Sequence, residues 1–160
     1  MVAAALSAVV AGVCTAGTAV AIPRAGSGGE PVMPEADVAY HGQVSLAAGR
    51  LGIWLVPENH GPAPLPNATV RLRLSVDLAE RQRLAEGCAR VEARVVVCET
   101  GALPVQGSGR HIGLVLLLKE RPAEAVLRID TWWNGGATDT ELENNEHAVL
   151  ALDTGDTYAF

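Results

Sequence analysis

Residues Thr69–Val76 read TVRLRLSV, and this stretch indicates the fold of the chain most clearly. Val70, Leu72 and Leu74 alternate with arginine and serine, which is the pattern of a β-strand with one buried face and one solvated face. Such a strand needs neighbouring strands for its backbone hydrogen bonds and a second apolar layer for its buried face. We therefore expect further short strands on either side of it.

Five other runs have the composition and length of strands. In Arg50–Val56 the apolar side chains of Leu51, Ile53 and Leu55 share one face. Ile112–Leu118 is apolar on both faces, which predicts a central strand covered on both sides. The remaining three runs are Val91–Val97, Val126–Trp133 and His147–Leu152. Short strands at this spacing, with turn residues between them, are typical of an antiparallel β-sandwich.

One segment departs from the strand pattern. Asp77 followed by Glu80 is a capping box, and Gly87 can end a helix. We therefore predict one short helix over Asp77–Glu86. The predicted fold class is all-β: an antiparallel β-sandwich with one short helix.

The N-terminal part indicates export. Residues 1–21 are apolar and small and end in Ala19-Val20-Ala21, which a signal peptidase accepts, although no basic residue precedes Arg24. A membrane anchor is the alternative, and the predominance of alanine and glycine over leucine disfavours it. Residues 22–37 are rich in glycine and proline and are predicted to be a flexible linker. Residues 38–160 then form the folded domain of a secreted, extracellular protein.

The charges are distributed unevenly. Residues 1–129 contain twelve basic and eleven acidic side chains, a balance of +1, whereas residues 130–160 contain seven acidic and no basic side chains, a balance of −7. Nucleic-acid binding needs clustered cations, so we do not expect a nucleic-acid partner. A basic partner or a metal ion at the C-terminal end stays open.

Two cysteines remain after residue 21. Cys88 and Cys98 form an even pair in a chain that is predicted to be exported, and such a pair indicates a disulfide. The alternative is a metal-binding or redox pair, which would need CxxC-type spacing or histidines close by in sequence. We therefore predict a structural disulfide.

Several short motifs occur in a recognisable order. Asn59, Gly61 and Pro62 give N-x-G-P after a strand, Cys98 is followed by Gly101, and Asp139 precedes a pair of asparagines. In this order they resemble the conserved-repeat Ig-like domain of bacterial surface and secreted proteins, of the cell-adhesion-related bacterial type, in a single copy over about residues 45–152. The resemblance implies an Ig-like sandwich without an active site.

The tryptophan pair is the first candidate recognition site. Side chains alternate along a strand, so Trp132 and Trp133 should face opposite sides. Trp133 continues an apolar row and is predicted to face the core, which leaves Trp132 on the outer face beside Asp130. There Trp132 could stack on a sugar ring or a partner protein. The alternative is that Trp132 covers the linker or the C-terminal tail.

The loop after the tryptophans is a candidate calcium site, the one cofactor that the sequence suggests. It offers five hard oxygen donors: Asp139, Glu141, Glu143, Asn144 and Asn145. Their spacing is not that of an EF-hand, and a solvated loop is the alternative. The four histidines lie in four separate segments and are predicted to be ordinary surface or turn residues: His41, His60, His111 and His147.

No serine of the mature chain lies in G-x-S-x-G, and no carboxylate pair lies in apolar surroundings. We therefore predict a non-enzymatic binding or structural module, secreted or at the bacterial surface, whose partner is a cell-wall component or another protein. The alternative is a small secreted inhibitor or ligand carrier that acts through a loop. No membrane association is expected after the signal peptide is removed.

Overall fold

The computed structural model describes residues 33–160. The predicted signal peptide, residues 1–21, and most of the predicted linker lie outside the described residues. Ten strands and one short 3-10 helix are present in the described part: β1 Val38–Ala47, β2 Arg50–Asn59, β3 Thr69–Leu74, β4 Cys88–Glu92, β5 Val95–Glu99, β6 Gly107–Ser108, β7 Ile112–Leu117, β8 Glu124–Trp133, the 3-10 helix Leu142–Asn145, β9 His147–Leu152 and β10 Thr157–Ala159.

The strands form two antiparallel sheets. In the first sheet the order is β10-β1-β2, and β2 continues to β6 at one end and to β7 along most of its length. In the second sheet the order is β4-β5-β3-β8-β9, with β3 in the centre. The predicted antiparallel sandwich is confirmed, and the stretch that begins at Thr69 is the middle strand of one of its layers.

The core lies between the two sheets. Val70, Leu72 and Leu74 of β3 are buried, as their alternation predicts, and Leu51 and Leu55 of β2 are buried opposite them in the other layer. The buried set of the facing strands is apolar, and it includes Val44, Leu46, Ile53, Ile112, Leu114, Leu116, Val96, Leu127, Ile129 and Ala151. Burial of apolar surface at about 25 cal/mol per Å² makes this layer the main source of stability.

The prediction that Ile112–Leu118 is a central strand is wrong. β7 pairs with β2 alone, and its buried residues alternate with exposed ones. Val115 and Leu117 are exposed on the outer face of the sheet, and Val115 lies near the exposed Trp54. The run is apolar on both faces in sequence, yet only one face is covered within residues 33–160.

The helix predicted for Asp77–Glu86 is also absent, and the short helical turn lies at Leu142–Asn145 instead. The backbone of Leu78 donates to the carbonyl of Ala93, and that of Ala79 donates to the carbonyl of Leu117. The guanidinium of Arg90 donates to the carbonyl of Ala79 as well. These long-range bonds hold the segment in an extended form, so tertiary contacts override a favourable helix propensity.

Val91–Val97, predicted as one strand, is a hairpin in which β4 turns into β5 at Ala93 and Arg94. This turn places Cys88 directly opposite Cys98, and the two residues form a disulfide whose Cα atoms are 4.0 Å apart. The predicted disulfide is confirmed. It joins the edge strand β4 to β5, which pairs in turn with the central strand β3.

The end of the predicted linker belongs to the folded domain. Ala36 is buried, and its backbone N–H donates to the carbonyl of Thr138 at 2.9 Å. The N–H of Thr138 donates to the carbonyl of Pro34 at 2.8 Å. The prediction of a flexible linker up to residue 37 is therefore wrong for residues 34–37, because these backbone bonds fix them to the loop that follows β8.

We expect that replacing both Cys88 and Cys98 by alanine lowers the free energy of unfolding by about 2.5–3 kcal/mol, because the disulfide closes a loop of roughly eleven residues in the unfolded chain. Urea unfolding followed by tryptophan fluorescence measures this loss. A double variant as stable as the oxidised protein, or two free thiols titrated in the native protein, contradicts the prediction.

Candidate functional site

A β-bulge shapes the end of β8. Trp133 lies opposite Thr69 in β3, but Thr131 lies opposite Val70, so Trp132 is an additional residue without a partner in the register. A bulge of this kind bends the strand and re-aims the side chains that flank it. The strict alternation on which the sequence prediction depended therefore ends at Thr131.

Both tryptophans face outwards. The exposed fraction is 51% for Trp132 and 48% for Trp133, so the prediction that Trp133 packs in the core is wrong. The inward position is taken by Thr131, whose Oγ1 is hydrogen-bonded to the buried hydroxyl of Tyr40 at 2.9 Å. Burial of this hydroxyl raises the pKa of Tyr40 well above its usual value.

Trp132 does not cover the C-terminal tail. Tyr158 lies in β10 and pairs with Val44 of β1, in the first sheet, whereas Trp132 belongs to the second. Phe160 lies beside His147, with ring centroids 5.4 Å apart. That alternative is therefore wrong for the tail, and the part of it that concerns residues 22–32 lies outside the described residues.

An ion-pair network borders the tryptophans. The buried carboxylate of Asp130 accepts two hydrogen bonds from Arg71, each 2.8 Å long, and one from Arg73. The guanidinium carbon of Arg71 lies 5.7 Å from the ring centre of Trp132, which is cation–π distance. The hydrogen bond to Asp130 raises the pKa of Arg71. The arginine thus stays charged and fixed against the tryptophan ring.

Two shallow depressions adjoin the tryptophan rings. Thr69 and Val97 line one together with both tryptophans. The other includes Leu142, whose side chain is 58% exposed. We call the outer surface formed by Trp132, Trp133 and Arg71 the tryptophan face. It combines two flat apolar rings with a fixed cation on a rigid sheet.

The candidate calcium loop is held by internal hydrogen bonds at its first residue. Asp139 Oδ2 accepts from the N–H of Val38 and from the amide of Asn145, both at 3.1 Å, and Asp139 Oδ1 accepts from the N–H of Glu141 at 3.1 Å. This carboxylate therefore fastens the loop to the start of β1. Asn145 is buried, whereas the side chains of Glu141 and Glu143 are exposed.

Asn144 also points to a structural role for the loop. Its side-chain amide donates to Asp37 Oδ1 at 2.7 Å, which adds a second bond between the loop and the segment before β1. Asp139 and Asn144 bind the N-terminal segment, Asn145 is buried, and among the described residues the carboxylates of Asp139, Glu141 and Glu143 do not come together as a group of possible metal ligands. A calcium site gains no support from this geometry.

Asn59 and Gly61 form a buried corner at the end of β2. Asn59 Oδ1 accepts from the N–H of Gly61 at 2.9 Å and from that of Asp37 at 3.2 Å, and its amide donates to the carbonyl of Ala63 at 2.8 Å. A Cβ on Gly61 would lie 2.5 Å from the Cα of Ala36. Pro62 follows and is exposed. The N-x-G-P motif thus positions the backbone rather than a ligand.

This corner brings two histidines to one carboxylate. His60 Nε2 lies 3.0 Å from Glu58 Oε2, and His41 Nε2 lies 3.8 Å from the same oxygen. The hydrogen bond from His60 is the largest factor that lowers the pKa of Glu58. Their separation in the sequence predicts isolated surface histidines, but the register of the β1–β2 hairpin brings His41 within reach of Glu58 and His60.

Replacement of Asn59 by alanine should lower the free energy of unfolding by about 3 kcal/mol, because three backbone groups in a buried corner lose their partner. Asn67→Ala is the matched control: its side chain accepts a hydrogen bond from Gly101 alone, and we expect a loss of about 1 kcal/mol. Urea unfolding of the two variants measures both losses. Equal losses of stability would show that Asn59 contributes no more to the fold than Asn67 does.

We expect Asp139→Ala to lower the free energy of unfolding by about 3 kcal/mol. The loss should be the same in excess calcium and in excess EDTA, because the carboxylate binds protein groups. Asp156→Ala, an exposed acidic residue of the same region, should change it by less than about 0.5 kcal/mol. A rise in the melting temperature of the unmodified protein on addition of calcium would restore the calcium site.

In residues 33–160 no helix has the length and apolarity that crossing a membrane requires. Comparison of the chain with profiles of protein families, with curated proteins and with solved structures found no significant match.

Proposed function

We propose that this protein is a non-enzymatic binding module, of the Ig-like type and secreted or surface-exposed on a bacterium, and that the tryptophan face is its binding surface. The observation that carries the proposal is the bulge in β8, which exposes two adjacent tryptophans on one rigid sheet. Exposed tryptophans cost solvation free energy, and a pair of them at one place is typical of a recognition surface.

The chemistry of the tryptophan face favours a glycan ligand of the cell wall. Flat indole rings stack on the apolar faces of sugar rings, and the cation of Arg71 beside Trp132 offers hydrogen bonds to hydroxyl or carboxylate groups. Because Asp130 holds Arg71 with two hydrogen bonds, little side-chain entropy is lost when a ligand binds. A shallow surface of this kind suits a chain of sugars better than an enclosed small molecule.

The disulfide is consistent with the proposed location. Disulfides such as Cys88–Cys98 form mainly where the surroundings are oxidising, as they are outside the cytoplasm. Together with the A-x-A sequence that ends at residue 21, it supports secretion.

One observation favours the second candidate, a small secreted inhibitor that acts through a loop. Leu142 is the most exposed large apolar side chain of the described residues, and it lies in the loop beside Trp132 and Trp133. An apolar loop residue next to an aromatic pair also suits a protein partner. In that case Leu142→Asp would weaken inhibition of a target protease, whereas glycan binding would depend on the tryptophans.

The test is a fluorescence titration of the full chain with solubilised cell-wall glycan fragments. We expect a saturable shift of the tryptophan emission, and an affinity that falls by about two- to twelvefold in Trp132→Ala and in Trp133→Ala, because a stacked ring contributes roughly 0.5–1.5 kcal/mol.

Trp54→Ala is the matched control. Trp54 is 47% exposed, close to the other two tryptophans, but it lies on the outer face of the first sheet, edge-on to His111. Its replacement should leave glycan affinity unchanged. The proposal is wrong if the glycan produces no shift, or if Trp54→Ala weakens binding as much as Trp132→Ala does.

A further inference from the structure

The outer face of the first sheet carries a second cluster, separate from the tryptophan face. We propose that His41, Glu58 and His60 bind one divalent transition-metal ion, zinc being the ion that fits them best. This site is independent of the proposed glycan binding, because the three residues lie on the first sheet and its β2 corner, whereas the tryptophans lie on the second.

The distances between the donor atoms suit a single ion. His60 Nε2 and His41 Nε2 lie 3.0 Å and 3.8 Å from Glu58 Oε2, and all three donor atoms lie within 4.8 Å of one another. Ligands bound at about 2.0–2.1 Å in a tetrahedron are roughly 3.4 Å apart. Small rotations of exposed side chains are enough to bring the three donors to this spacing.

The fold places the three side chains on one side of the β1–β2 hairpin. His41 pairs with Val56, so Glu58 is its diagonal neighbour two residues further along β2, and such neighbours are within reach of long side chains. His60 follows on the same side of the strand. Ten paired positions fix this register from Val38 to Ala47, and a shift by one residue would send His41 to the opposite face.

Second contacts orient the ligands. The hydroxyl of Ser108 donates to Glu58 Oε1 at 3.2 Å, which leaves Oε2 for the ion. The backbone N–H of His60 donates to the carbonyl of Asp37 at 2.7 Å, and the side chain of Gln106 donates to the carbonyl of His60. The bond from Ser108 to the ligating carboxylate is of the kind that fixes ligand orientation in metal sites and commonly changes affinity by about 10–100-fold, whereas the two backbone bonds fix the position of His60 in the chain.

The donor set selects the class of metal. Two imidazole nitrogens and one carboxylate suit zinc, copper, nickel and cobalt, whereas calcium and magnesium prefer oxygen donors alone. All three side chains are partly exposed, so water can complete the coordination. In the metal-free form His60 Nε2 and Glu58 Oε2 share a hydrogen bond, so an ion bound at Nε2 requires the imidazole proton to be on Nδ1.

The site is tested by isothermal titration calorimetry, in which zinc is added to the full chain. The protein is purified without a histidine tag. We expect one ion per chain, with an affinity that is lower at about pH 5 than at about pH 7.5 because protons compete for the imidazoles. His41→Ala and His60→Ala should each weaken binding by more than about tenfold. Cobalt supplies a second readout, since its visible absorption reports nitrogen and oxygen ligands directly.

His111→Ala is the matched control, because His111 is an exposed histidine that contacts Trp54 and lies outside the cluster. The His111→Ala variant should bind zinc with the same affinity as the unmodified protein. Glu58→Gln keeps the shape of the side chain and removes its charge, and we expect it to weaken zinc binding as well. This variant tests the site if either histidine variant fails to fold. Absence of zinc binding, or equal affinity in the unmodified protein and in His60→Ala, overturns the proposal.

Discussion

The burial of β3 between two neighbouring strands and a facing sheet is the constraint on which the rest of the structure depends. Val70, Leu72 and Leu74 are buried on its inner face, while Arg71 and Arg73 on its outer face hold Asp130 of β8. The same strand thus contributes to the core on one side and to an ion-pair network on the other. That network fixes the arginine against Trp132, so core and candidate surface share one element.

Polar side chains stabilise the backbone at the ends of the strands, outside the apolar core. Asn59 and Asp139 each accept hydrogen bonds from the backbone of the segment that leads into β1, at Asp37 and at Val38 respectively. Asp153 accepts in the same way from Ala48, in the turn between β1 and β2. Two of the seven acidic residues of the C-terminal region, Asp139 and Asp153, therefore stabilise backbone corners.

The two candidate sites lie on opposite outer faces, and both depend on strand register. The tryptophan face arises because one residue of β8 has no partner opposite β3, which turns Trp133 outwards as well as Trp132. The histidine cluster arises because the β1–β2 hairpin is in register from its turn at Ala48 to Asn59. A bulge in the second sheet thus positions the tryptophan face, and a regular register in the first sheet positions the histidine cluster.

Three features are predictable from the sequence because each follows from local periodicity or from a residue pair: the all-β class, the buried alternation of Thr69–Leu74 and Arg50–Val56, and the disulfide between Cys88 and Cys98. Three others are set by tertiary contacts: the conformation of Asp77–Glu86, the edge position of β7 and the exposure of Trp133. These depend on hydrogen bonds and strand order between residues far apart in the chain. Alternation gives the two faces of a strand, but which faces another layer covers, and where a bulge interrupts the register, is set by the partner strands.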